Sequence, residues 1–355
     1  MQSPYFSLEP SRRWKEAVQA VGRDAVNPNL PSSLRITPET RIATAGSCFA
    51  QRISEAVVAH GFNYFVTEAG PAWLTQQQRA DYNYGTFSAR YGNIYTSAQL
   101  LQLMERALGK RESDEPLWTS KIGLCDPFRP RIQPEGFDSE EELIADRKMH
   151  LASVRKLFEG LDVLVFTLGL TESWRVRHDG TVLPVCPGAG AGGEYDPSRY
   201  VFHNASVAEV VSELTLFLDH LHDLNPKATV ILTVSPVPLV ATMEERHVLQ
   251  STTYSKSVLR VAAEEIVRQK KNAVYFGSYE TITASGNLYF EEDGRSVKPE
   301  GVAHVMRNFF ATFTDRMPDV NQRELPEATP VDQISTSKCD EEALAAAIAQ
   351  ARMGA

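Results

Sequence analysis

The sequence has few cysteines, and their spacing excludes two common roles. The four residues Cys48, Cys125, Cys186 and Cys339 form no CxxC pair and have no histidine cluster beside them. A structural zinc site needs closely spaced ligands, and a small disulfide-stapled domain needs many cysteines. We therefore expect no metal and no disulfide framework, and a reducing compartment.

Long apolar runs are also missing. The first residues, MQSPYFSLEPSRRWKEAV, carry prolines and charges where a secretory signal needs an unbroken apolar stretch. No segment reaches the length of a membrane span, and no long repeat or low-complexity tract is present. We expect a globular, soluble, cytoplasmic protein.

Positive charge is in deficit, with 36 Lys and Arg against 45 Asp and Glu and a formal net charge of -9. No run of Lys and Arg interleaved with aromatic residues is present, so we expect no nucleic-acid partner. A P-loop and a GxGxxG signature are also lacking, and no cofactor is indicated. The sequence carries no signal of an oligomeric state.

What is present is an alternation of short apolar strands and amphipathic helices. RIATAG, from Arg41, is followed by SCFAQRISEAVVAH, where Phe49, Ile53 and Val57 recur every four residues as on one helix face. DVLVFTLGL and ATVILTVSP are apolar runs typical of strands covered on both faces. The alternation predicts a parallel sheet between two helix layers.

The same patterns divide the chain. Proline-containing residues 1–40 are interpreted as an extended arm, and residues 41–324 as one α/β domain. Within that domain the pattern weakens over about 66–150, the place for an insertion or cap. Residues 325–355 are interpreted as a peripheral tail that ends in a short Ala-rich helix.

Ser47 lies on the first strand-to-helix turn. Ligands of open α/β sheets bind beyond the carboxyl ends of the strands, and a helix N-terminus can stabilise an anion formed in acyl transfer. Serine is also a preferred N-cap residue, so position alone favours a cap. Cys48 is a second nucleophile candidate, although a cysteine that opens a helix is more often a small buried side chain.

Six sequence blocks resemble, in order, those of the GSCFA family. They are AGSCFAQRI, TLGLTESW, VFHNAS, LTVSPVPL, TYSKSVLR and YFGSYE, and they cover about residues 41–310. The family is bacterial-type and grouped with SGNH hydrolases. The resemblance therefore implies a three-layer α/β/α, flavodoxin-like sheet with an inserted cap, and it favours Ser47 as a nucleophile.

The resemblance also implies oxyanion donors, since SGNH enzymes use a glycine N–H and an asparagine side chain. Gly92 with Asn93, in RYGNIYT, is the candidate for the glycine role, and an ordinary turn is the alternative. The block that carries the SGNH asparagine has Gly169, Thr171 and Glu172 here. A threonine hydroxyl can donate a hydrogen bond, whereas a carboxylate is better suited to bind a sugar hydroxyl.

The nucleophile needs a base. The SGNH pattern places an aspartate three residues before its histidine, but EEDGRS has Ser296 near that point. His304 is the predicted base with Asp293 as its orienting carboxylate, and a satisfied core histidine is the alternative interpretation of His304. The replacement candidates are His203, which stands beside Asn204, and His247.

The leading hypothesis is a serine-dependent acyl esterase or O-acyltransferase that acts on an acylated small molecule or carbohydrate. Transfer would require an acyl donor, for which acetyl-coenzyme A is the candidate. The alternative is a catalytically inactive SGNH-like glycan-binding or scaffold protein, which the missing histidine favours. The TYSKSVLR helix could bring Lys256 or Arg260 toward an anionic group, but positive residues on an amphipathic helix usually face solvent.

Overall fold

The computed structural model describes residues 3–315 and 340–353. Four short helical segments lie at Pro4–Ser7, Pro10–Arg12, Lys15–Gln19 and Gly286–Tyr289. The strands are β1 (Ile42–Ala45), β2 (Trp118–Ser120), β3 (Gly123–Cys125), β4 (Val163–Leu168), β5 (Glu172–Val176), β6 (Val182–Leu183), β7 (Tyr200–Asn204), β8 (Thr229–Val234) and β9 (Ala273–Tyr275). The helices are α1 (Cys48–Ala59), α2 (Gln76–Asp81), α3 (Ser97–Ala107), α4 (Glu140–Gly160), α5 (Val207–Leu224), α6 (Val248–Gln269), α7 (Ser278–Thr283), α8 (Pro299–Phe313) and α9 (Asp340–Met353).

The central sheet is parallel and has the strand order β1-β4-β8-β9. On the free side of β1, a parallel bridge joins Ile42 to Tyr64, so the segment after α1 stands where a second strand belongs. Counting that segment, the order is the 2-1-3-4-5 of flavodoxin-like sheets. The strand order reverses between β1 and β4, which places the ligand crevice at their carboxyl ends.

The two faces of β4 show how the layers are built. Val163 and Val165 point into a core shared with α1 and α8, whereas Leu164, Phe166 and Leu168 point into a core shared with α3, α4, α5 and α6. All six residues of the strand are buried, because side chains alternate between faces and both faces are covered. The predicted three-layer α/β/α arrangement is confirmed.

Two additions lie outside this sheet. One lies within residues 66–150, for which an insertion was predicted, and contains α2 and the β2–β3 hairpin, while α3 and α4 belong to the helix layer on β4. The other is an antiparallel sheet of order β6-β5-β7 between β4 and α5, which the sequence patterns did not predict. Its strands are short, and its pairing joins segments that local periodicity cannot connect.

The two ends of the chain lie over the domain. Ser32 and Ile36 donate backbone hydrogen bonds to the last residues of α8, at 3.3 and 2.8 Å. Of the predicted tail, residues 325–339 fall outside the described ranges, and the helix at its end is α9. No helix in 3–315 or 340–353 is long and apolar enough to cross a bilayer.

Candidate functional site

The turn between β1 and α1 depends on Gly46. Its φ is +148°, and a Cβ there would lie 2.8 Å from the Ala50 Cβ and 2.9 Å from the Thr167 Cβ. Only glycine therefore lets the turn pack this closely against β4. Ser47 follows, 6% exposed, at the N-cap position of α1.

The Ser47 side chain does not cap its helix. No hydrogen bond runs from the first turn of α1 to its hydroxyl. The caps of α3 and α5 behave differently, because Thr96 and Ser206 each accept a hydrogen bond from the N3 backbone and form complete capping boxes. Ser47 therefore occupies the N-cap position of α1, but its hydroxyl does not act as a cap.

The RYGNIYT loop lies across the ends of β1 and β4. Ile94 N–H donates to the Gly46 carbonyl at 2.9 Å, and Gly169 N–H donates to the Tyr95 carbonyl at 3.0 Å. The Asn93 side-chain oxygen accepts from Gln51 Nε2 at 3.2 Å.

Residues i and i+4 share a helix face, so Gln51 lies on the same face of α1 as Ser47. The loop thus places Gly92 and Asn93 beside the turn that holds Ser47.

Lys256 lies at the end of β4. Its Nζ donates to the Gly169 carbonyl at 2.7 Å, and its side chain is 3% exposed. Burial lowers the pKa of Lys256 to about 8. The expectation that this lysine faces solvent is wrong, because α6 is covered here by the segment that leaves β4. Arg260 remains partly exposed and pairs with Glu264 and Glu280.

The residues after Gly169 hold neighbouring segments in place. Thr171 N–H donates to Ser255 Oγ at 3.1 Å, and the Thr171 hydroxyl, fully buried, has no partner among the described residues. Glu172 Oε1 accepts from Thr242 Oγ1 at 2.6 Å, and burial raises the pKa of Glu172.

Asn204 lies opposite Glu172 in the β5–β7 pair. It donates to Glu244 Oε1 at 2.7 Å. Glu172 and Asn204 together anchor the loop that precedes α6.

The predicted base and its partner are not joined. His304 is 1% exposed, its Nδ1 lies 2.9 Å from the Tyr289 hydroxyl, and burial lowers its pKa. Asp293 instead accepts from the hydroxyl of Ser296 at 2.6 Å. The residue three positions after the aspartate, where a histidine was expected, is therefore a serine that donates to the aspartate.

The replacement histidines are occupied elsewhere. His203 Nε2 lies 2.8 Å from Glu209 Oε1, and His247 Nδ1 accepts from Leu249 N–H as the cap of α6. In the part of the chain that the structure describes, no hydrogen bond joins Ser47 to any histidine. That is the arrangement expected of the binding-protein alternative, or of an enzyme with a different base.

The start of α9 reaches this edge of the sheet, which the sequence patterns did not predict. Asp340, 5% exposed, accepts from Asn93 Nδ2 at 2.9 Å. Glu341 Oε1 lies 3.6 Å from Arg295 Nη2, and Arg295 also donates to the Pro238 carbonyl after β8. The tail helix is therefore not peripheral at its first turn.

Fold and site together define a doubly wound α/β protein in which the serine at the switch point does not cap its helix. The family model of the GSCFA family matches residues 41–309, and the chain belongs to that family. Among curated proteins there is no match.

Two solved structures are similar to this chain. A carbohydrate esterase family 3 from Talaromyces cellulolyticus is 13% identical, over 60% of this chain and 87% of that chain, with a TM-score of 0.26. A Corynascus thermopiles (Myceliophthora fergusii) carbohydrate esterase family 2 enzyme with a carbohydrate binding domain is 12% identical, over 80% and 67%, with a TM-score of 0.27. Because the TM-scores and sequence identities are so low, these two structures carry no argument about function.

Proposed function

We propose that this protein is a serine-dependent acyl esterase or O-acyltransferase, acting on an acylated small molecule or carbohydrate. One observation carries the proposal. Ser47 is the N-cap residue of α1 at the switch point, but its hydroxyl accepts no hydrogen bond from the first turn of that helix. A serine kept only for capping would bond the first turn, as Thr96 and Ser206 do. Membership of a family grouped with SGNH hydrolases supports the same role.

Charge that develops on the acyl oxygen needs donors. The first N–H groups of α1 have no acceptor within the helix and point toward the turn, as does the positive end of its dipole. Gly92 lies beside them, since the next residue, Asn93, accepts from Gln51 of α1. In this proposal the Ser47 and Gly92 backbone N–H groups bind the oxyanion.

The proton of Ser47 goes to Lys256 in this proposal. Lys256 lies at the end of β4, the neighbour of the strand that carries Ser47, and a pKa of about 8 leaves part of it neutral at mildly alkaline pH. Serine nucleophiles paired with a lysine base are an established variant of the catalytic triad. His304 with Asp293 is the competing assignment.

The steps balance without a cofactor. Ser47 Oγ attacks the acyl carbonyl while its proton passes to Lys256, and collapse of the tetrahedral intermediate returns the proton to the leaving alcohol. Water or an acceptor hydroxyl then attacks the acyl-serine by the reverse path. Acetyl-coenzyme A would be the donor in a transfer reaction, with its thiol as the leaving group.

The test is turnover of short-chain nitrophenyl esters and acetylated sugars by the wild type and matched variants. We expect Ser47→Ala and Lys256→Met to lose activity on the order of 10³-fold or more. The exposed control Lys148→Met should match the wild type. The wild-type rate should rise with pH along a limb near pH 8.

Other outcomes would assign the base or the nucleophile to other residues. Loss with His304→Gln and Asp293→Asn, but not with Lys256→Met, would move the base to the competing pair. Full turnover by Ser47→Ala would overturn the serine mechanism and direct attention to Cys48.

A second candidate function is glycan binding without catalysis. The lack of a hydrogen bond between Ser47 and any histidine in the described ranges favours it. It predicts no turnover by the wild type with water or with acetyl-coenzyme A and glycan acceptors, while glycans still bind.

A further inference from the structure

Asp340 sits in a polar pocket that is suited to a carboxylate. Its Oδ2 accepts from Asn93 Nδ2 at 2.9 Å and from the Tyr95 hydroxyl at 3.4 Å. Its Oδ1 lies 3.5 Å from Arg131 Nε. Two neutral donors and one guanidinium thus surround a single carboxyl group, next to the turn that holds Ser47.

A second carboxylate position lies beside it. Glu341 Oε1 lies 3.6 Å from Arg295 Nη2. Arg295 is fixed in turn by the Pro238 carbonyl at 3.2 Å.

The first turn of the helix is held by these two carboxylates. Asp340 and Glu341 join it to the rest of the domain through the hydrogen bonds and ion pairs given above. Burial raises the pKa values of both Asp340 and Glu341, so their partners do not fully replace the water that they lose. A ligand carboxylate that reaches the same donors would therefore compete with them.

We propose that the pocket formed by Asn93, Tyr95, Arg131 and Arg295 is a subsite for the acidic groups of a carboxylate-bearing sugar, which α9 occupies until that ligand arrives. The choice of a sugar rests on the proposed function. The subsite itself rests on the contacts of Asp340 and Glu341.

The first test is calorimetric titration of full-length protein with digalacturonate, and with digalactose as the neutral match. We expect Asp340→Ala/Glu341→Ala to bind digalacturonate at least tenfold more tightly than the wild type, since the competing carboxylates are gone. The control Glu140→Ala/Glu141→Ala removes the same charges from the exposed first turn of α4 and should change nothing. Equal affinity in variant and wild type, equal binding of digalactose, or no binding of digalacturonate would overturn the proposal.

A second measurement needs no change in α9. Hydrogen exchange of wild-type amides in 340–353 should speed up at least fivefold when digalacturonate is added, while amides of β4 stay constant. Unchanged protection of α9 with ligand bound would overturn its displacement. Both experiments are repeated with Ser47→Ala, which separates the subsite from the proposed reaction because binding does not require the nucleophile.

Discussion

Two groups of charged side chains are buried in this protein, and they hold their carboxylates differently. Within residues 66–150, Asp126 is fully buried, 2.9 Å from Arg129 Nε and 2.8 Å from Arg147 Nη2. Asp146 likewise lies between Arg90 and Arg129, at 3.0 and 2.7 Å. Burial alone would raise the pKa of Asp126, but the two guanidinium groups hold it well below its usual range.

At the site, the effect of burial on the carboxylate pKa values outweighs that of the nearby arginines. Asp340 and Glu341 each have one arginine, at 3.5 and 3.6 Å, and burial raises the pKa of both. Burial penalises a charge, and only close, multiple partners offset that penalty. We therefore expect the network around Asp126 to stabilise the fold, and the carboxylates of α9 to be replaceable as proposed above.

Asp126→Asn should have the largest effect. It leaves Arg129 and Arg147 buried without their shared partner, which should lower the free energy of unfolding by about 3–5 kcal/mol. Denaturant titration at pH 7 measures the free energy of unfolding of the variant and of the wild type. The control is Asp162→Asn, which breaks a half-exposed pair with Arg41 and should change stability by less than about 1 kcal/mol. Similar losses in both variants would show that the buried network has no special structural role.

His150 gives the network a pH dependence. Its Nδ1 lies 2.8 Å from Glu68 Oε2, and burial, with Arg129 nearby, lowers the pKa of His150 from 6.5 to about 4. Between those values the unfolded chain binds the proton and the folded protein does not, so stability falls as pH falls from 6.5 to 4. The difference corresponds to about 3 kcal/mol.

His150→Gln should remove most of that slope when unfolding free energies are measured from pH 7.5 to 4.5. His222→Gln, at an exposed position of α5, is the matched control and should keep it. A slope that survives His150→Gln would assign the acid sensitivity to other groups.

The sequence predicts the fold where local pattern decides. The spacing of Phe49, Ile53 and Val57 corresponds to α1, and the run from Asp162 corresponds to β4. The β5–β7 pairing was missed because it sets Glu172 opposite Asn204, far apart in the chain. Such pairing depends on tertiary packing and leaves no periodic signal.

The site follows the same rule. Gly46, Ser47 and Gly169 follow strands that lie side by side, so topology alone brings them together. Lys256 was missed because a lysine on an amphipathic helix normally faces solvent. The contact of Asp340 with Asn93 spans 247 positions of sequence. The acidic start of an Ala-rich helix also resembles an ordinary exposed N-terminus.

The smallest effect that we expect is a pH dependence of α9 docking, and it tests most directly the difference between α9 and the network around Asp126. The raised pKa values of Asp340 and Glu341 mean that docked α9 binds protons more readily than free α9. Docking should therefore strengthen as pH falls through those raised values, and weaken as pH rises above them. We expect a threefold to tenfold rise in the α9 exchange protection factors, corrected for intrinsic rates, as pH falls from 7 to 4.5, the ordinary pKa of a glutamate.

Over that range, β4 amides should lose protection through His150, so the two regions should respond with opposite signs. Asp340→Asn/Glu341→Gln should abolish the α9 response and leave that of β4 unchanged, because the amides cannot titrate. If α9 and β4 instead lose protection together, the first turn of α9 is a fixed part of the fold. Its carboxylates would then belong with Asp126 rather than with a replaceable occupant of the site.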